Sequence, residues 1–114
     1  MAAKGTPIKT QLVDGGLRLN PRGDIVASSV EALRDALLKA LETAKGPVVL
    51  DLSSTKQIDA LGITLVLGLF KTCQKQSLAF SIEGVSPDLL RVFRLFNLTK
   101  FFPVQEVRDE QLRG

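Results

Sequence analysis

Two β-prone runs lie about thirty residues apart, Val48 to Leu52 and Leu78 to Ile82, and the residues between them are helical in pattern. Strands joined through a helix cannot close a hairpin and pair in parallel by a crossover. That arrangement limits the chain more than any other feature, because it requires a sheet covered by helices on at least one face. The first run, PVVLDLSS, is apolar almost throughout, as expected of a central strand. The second, LAFSIEGV, alternates Leu78, Phe80 and Ile82 with Ala79, Ser81 and Glu83.

The remaining elements fit around this pair. IKTQLVDGGLRLN reads as two strands about a tight turn at Asp14-Gly15-Gly16. SSVEALRDALLKALETAKG places Val30, Leu33, Leu37, Leu38 and Leu41 at helical spacing. Ser28 and Glu31 have the form of a capping box there, and Lys45 and Gly46 suit the carboxyl end. LGITLVLGLFKTCQKQ is a helix apolar nearly all round until Lys71, so its start should be extensively buried. Gly62 and Gly68 would let it approach the sheet closely. SPDLLRVFRLFNL is a helix that Ser86 can cap, with Pro87 and Asp88 suited to its first turn. Leu89, Val92, Phe93 and Phe96 should face inward. FFPV is a short edge strand because of Pro103. The order is β-β-α-β-α-β-α-β, an α/β fold with a mixed sheet. A single domain over residues 1–114 is expected, with a core of about 7–104 and a polar tail at 105–114 that frays or forms a short helix.

Composition removes several functional classes. The chain has no histidine, tryptophan or tyrosine, so the commonest general base and metal ligand are missing. Cys73 stands alone, which excludes an internal disulfide and fits a reducing, cytoplasmic setting. A net charge of +3 with interspersed signs and no basic–aromatic stripe does not point to nucleic acid. No run approaches the ~20 apolar residues of a membrane span, so direct membrane insertion is not expected. No Gly-Lys-Ser/Thr follows the glycines, so this is no phosphate loop. Asp51 lies within a strand, and Gly23-Asp24 reads as a turn. No catalytic residue, metal-ligand set or cofactor is assigned. Asp59, just ahead of an apolar helix, is a helix cap.

Taken in this order, RGDIVASSVEALRDAL, PVVLDLSSTKQIDALGITLVLGLFKTCQKQ and FSIEGVSPDLLRVFRLFNLTKFFPV resemble the STAS domain of bacterial anti-sigma-factor antagonists. The resemblance implies helices packed mainly on one face of the sheet. It also implies a non-catalytic protein-binding module in a partner-switching pathway, docking an anti-sigma factor or serine-kinase-type regulator. In that family the kinase phosphorylates a hydroxyl within an Asp-Ser-Ser-Gly pattern. Carried over, the acid is Asp59 and the glycine Gly62, while the acceptor position holds Leu61 and the preceding hydroxyl position Ala60. A second family acid falls on Val26. The expected partner surface comprises Ser53, Ser54, Thr55, Asp59, Ala60, Leu61 and Thr64. With Thr64 the remaining substitute acceptor, a constitutive binder or scaffold is expected. The chain also resembles the small STAS subunit on the ATPase of bacterial phospholipid-transport systems, which typically carries Asp-Thr-Ala-Gly. That makes an accessory subunit of a phospholipid or anion transport complex, bound to ATPase or permease subunits, the alternative. Nucleotide binding is a third reading without a phosphate loop or base behind it. A homodimer is compatible with all three.

Overall fold

The computed structural model describes residues 7–107; of the polar tail expected at 105–114 to fray or form a short helix, Gln105 and Glu106 instead belong to the last strand, and 108–114 lie outside the described residues. Its elements are β1 (Ile8–Val13), β2 (Gly16–Pro21), α1 (Val30–Leu41), β3 (Val48–Asp51), α2 (Ala60–Lys75), β4 (Phe80–Val85), α3 (Pro87–Leu95), a 3-10 turn (Leu98–Lys100) and β5 (Val104–Glu106). The strands lie in the order β1-β2-β3-β4-β5. β1 and β2 are antiparallel, and every other pair is parallel. The α/β fold and its mixed sheet are those expected.

Register explains why one face of the sheet is dry. Leu17, Val48 and Phe80 align across three strands, as do Leu19, Leu50 and Ile82. All six are buried beneath the helices with Leu33, Leu37, Val66, Leu69 and Phe93. The alternate positions, Arg18, Asn20, Val49, Asp51, Ser81 and Glu83, are partly exposed on the other face. There Arg18 bridges three strands. Its Nε and Nη2 each lie 3.2 Å from Asp51 Oδ2, and its Nη1 donates to Glu83 Oε1 at 3.0 Å. Asp51 and Glu83 are cross-strand neighbours, so Arg18 separates two like charges.

Several local expectations are corrected. The hairpin turn is Asp14-Gly15, both at positive φ (48° and 81°), and Gly16 already belongs to β2. α1 starts at Val30, so Ser28 stands too early for a capping box. Its N-cap is Ser29, whose hydroxyl instead donates to the Asp24 carbonyl at 2.7 Å. α1 ends at Leu41, and Gly46 is not its cap. A Cβ there would run into the Gly15 carbonyl, so Gly46 lets the chain pass beneath the hairpin. Leu38 is exposed, because it follows Leu37 by a 100° step onto the outer face. Phe96 also points outward: α3 stops at Leu95, and Asn97 turns the chain away with φ 61°. Of the two α2 glycines only Gly62 serves close packing, since nothing lies within 4 Å of a Cβ built on Gly68.

Candidate functional site

Parallel strands deliver their following loops to one end of the sheet. The β2–α1 loop (22–29) and the β3–α2 loop (52–59) therefore meet beside the amino end of α2, where Ile25 and Ile58 form an isolated parallel bridge. Two aspartates tie these loops together. Asp24 Oδ1 accepts from the backbone N–H groups of Lys56 (2.9 Å) and Gln57 (3.0 Å). Asp59 works in the opposite direction: Oδ1 accepts from Gly62 N–H at 3.0 Å, capping α2, and Oδ2 accepts from Ala27 N–H at 2.9 Å. These bonds favour the carboxylate, so the Asp59 pKa is held below its ordinary value, chiefly by Gly62 N–H and next by Ala27 N–H.

Gly62 completes the junction. A Cβ there would collide with the Ile25 carbonyl and lie 2.6 Å from Ile58 Cγ1. Absence of a side chain is what allows the first turn of α2 to sit directly on the bridge. The Asp59–Gly62 pairing read from the sequence is thus a cap, a crosslink and a close contact in one structure. Asp24 was legible only as part of a turn. Its partners stand more than thirty residues away, and no local pattern announces them.

The expected surface residues divide in two. Ser53, Ser54, Ala60, Leu61 and Thr64 are exposed, and Leu61 leaves half of its surface open (50%). Thr55 does not belong with them. It is buried (3% exposed) and its hydroxyl donates to the Gly23 carbonyl at 2.8 Å, a structural bond between the two loops. Asp59 is half-buried, with its carboxylate occupied by backbone donors. The Thr64 hydroxyl donates to the Ala60 carbonyl one turn back, at 3.0 Å. Val26, onto which the resemblance carries the second family acid, is half-buried and has no carboxylate.

Beside this rim runs a groove of about 480 Å³ between the β3–α2 loop and α3, lined by Val26, Lys56, Gln57, Ile58, Asp59, Asp88, Leu89 and Val92. Its lining is half apolar and half polar or charged. Ser86 caps the facing helix through Leu89 N–H at 3.1 Å. Among the described residues no group of three or more His, Cys, Asp or Glu converges as metal ligands. None of their helices is long and apolar enough to cross a membrane. The lone thiol, Cys73, is buried on the inner side of α2, and burial pushes its pKa up to about 11. The chemistry the site offers is shape, one apolar side chain and backbone-anchored rigidity.

Known proteins share this fold. The family model described as Mlab, STAS domain, matches residues 8–106. The intermembrane phospholipid transport system binding protein MlaB of Escherichia coli K12 is 32% identical over 80 residues, 67% of this chain and 82% of that protein. Among solved structures, a Thermotoga maritima protein assigned to the anti-sigma factor antagonists superposes with a TM-score of 0.81 at 17% identity, covering 93% of this chain and 92% of that one. An anti-sigma-factor antagonist (STAS) domain protein from Planctomyces limnophilus gives 0.76 at 19% identity, with 93% and 95% covered. At those identities the two structures speak for the fold.

Proposed function

The chain belongs to the STAS family, and on that premise we propose that it is a non-catalytic, cytoplasmic accessory subunit of a phospholipid transport complex. In this reading it docks an ATPase or permease subunit through the rim formed by Ser53, Ser54, Ala60, Leu61 and Thr64. The observation that carries it is the half-exposed Leu61 on a helix end made rigid by Asp59 and Gly62. An exposed apolar side chain on a fixed helix end suits a constant contact, because little backbone entropy is lost on binding. The MlaB resemblance directs the choice of partner, since that relative is a transport-system binding protein.

An anti-sigma-factor antagonist in a partner-switching pathway is the second reading, favoured by the likeness to solved antagonists. The residues argue against a phosphate switch in either case. Ala60 and Leu61 have no hydroxyl, and that of Thr64 is bonded back to its own helix. Co-purification of a tagged copy from its own cells separates the readings. ATPase and permease subunits, released by Leu61→Glu, support the first; a kinase or sigma regulator in their place supports the second. Stoichiometric phosphate on Thr64 after incubation with a cognate kinase and ATP, read by intact mass, would sink constitutive binding.

A further inference from the structure

The opposite end of the sheet, where β3 and β4 begin, carries a second exposed apolar feature. Leu95 (74% exposed), the last residue of α3, and Phe96 (51%) and Phe101 (57%), which flank the following 3-10 turn, are exposed. The turn is well anchored. Leu98 and Phe102 are buried in the core, Phe96 N–H donates to the Val92 carbonyl at 3.1 Å, and Phe101 N–H donates to the Leu98 carbonyl at 3.0 Å. The Phe101 ring also tilts against Phe70 of α2, with centroids 6.2 Å apart. The three side chains are therefore exposed on a segment whose backbone is fixed.

In the chain segments that carry and adjoin them the charges have one sign. Between Asp88 and Glu106 the chain has Arg91, Arg94 and Lys100 and no acid. Between Asp59 and Glu83, on the neighbouring α2 side, it has Lys71 and Lys75 and again no acid. Arg91 is drawn toward Asp88 (3.7 Å), but no carboxylate lies within ion-pair distance of Arg94, Lys100 or Lys71 in the described residues. Two copies brought together through this turn would oppose cation to cation.

We propose that the turn from Leu95 to Phe101 docks peripherally on an anionic lipid surface. Leu95 and Phe96 reach the acyl boundary, while Arg94, Lys100 and Lys71 meet lipid phosphates. Apolar tips with a basic collar bind interfaces by these two terms together. The association is one of a loop, not a span. It is independent of the rim around Leu61, which lies at the carboxyl end of the parallel strands, so a docked partner and a membrane would not compete for the same face.

The absence of tryptophan and tyrosine gives a clean probe: Phe96→Trp introduces the sole indole in the chain. Full-length protein is mixed with vesicles of phosphatidylcholine alone or of equal parts phosphatidylcholine and phosphatidylglycerol. With the anionic vesicles, a blue shift of emission and co-sedimentation are expected, and both weaken with added salt. Arg94→Glu with Lys100→Glu, and separately Leu95→Ser, should each weaken partitioning by about tenfold. Leu61→Ser should leave it unchanged. No binding to anionic vesicles, equal binding to both compositions, or full binding by the charge-reversal variant would overturn the proposal. So would a blue shift that grows with protein concentration in the absence of lipid, which would mark a self-association surface instead.

Discussion

Replacing Gly62 and Gly68 by alanine, one at a time, should move stability in opposite directions, although both lie on α2. At Gly68 the new methyl meets nothing within 4 Å, so only helix propensity changes, a gain of about 0.5–1 kcal/mol. At Gly62 the methyl meets the Ile25 carbonyl, Ile58 Cγ1 at 2.6 Å and the Ile25 carbonyl carbon at 3.1 Å. A side-chain rotamer change could move Ile58, but the carbonyl is backbone. It can retreat only if the Ile25–Ile58 bridge opens and Asp59 releases Ala27. Overpacking of this kind costs about 1–3 kcal/mol, and rigid backbone places it toward the top of that range. The propensity gain offsets less than about 1 kcal/mol, because Gly62 is only the third helical residue. A net loss of about 2 kcal/mol is expected. Urea titration followed by far-ultraviolet circular dichroism would show it as a midpoint lower by about 1 M or more. The Gly68 variant should gain a few degrees in Tm. A Gly62→Ala midpoint equal to wild type, or a destabilised Gly68→Ala, would show that close contact is not why the first turn of α2 has glycine at position 62.

Three further outcomes are expected. Asp59 has its folded pKa lowered below the ordinary 3.8, so its contribution is present above that value and is lost as pH falls through the folded pKa. Asp59→Asn should therefore flatten the acid limb of a stability–pH profile below about pH 4, and an unchanged limb would contradict the geometry. Arg18→Ala leaves Asp51 and Glu83 side by side across β3 and β4. Part exposure limits the loss to about 1 kcal/mol, and a double-mutant cycle with Glu83→Gln should show a coupling that shrinks with salt. Cys73, buried and with its thiol pKa near 11, should resist a disulfide reagent in native protein and react at the rate of unfolding. Rapid native labelling would mean that α2 opens locally.

How far the sequence reached depends on the range of the interaction. The order of strands and helices follows from hydrophobic period and is visible along the chain, as is the α3 cap at Ser86 and the hairpin at Asp14-Gly15. Asp59 as a cap was legible because its partner Gly62 is three residues on. Its second bond, to Ala27, was not, and neither was the pair of bonds from Asp24 to the β3–α2 loop. Helix ends were overestimated for the same reason. Leu38 and Phe96 carry the right chemistry for the core, but only the start of α1 and the stop at Asn97 decide which way they point.

By itself the sequence determined the α/β class, the parallel crossovers and the absence of a hydroxyl at Ala60 and Leu61. Periodicity and residue identity are properties of the chain alone. The tertiary structure alone decided that Thr55 is a buried strut, that Gly62 is a contact and Gly68 an open position, and that Leu61 stands exposed over a fixed helix end. Each of those depends on which distant backbone comes to lie beside a residue, and the burial of the sheet face is what brings it there.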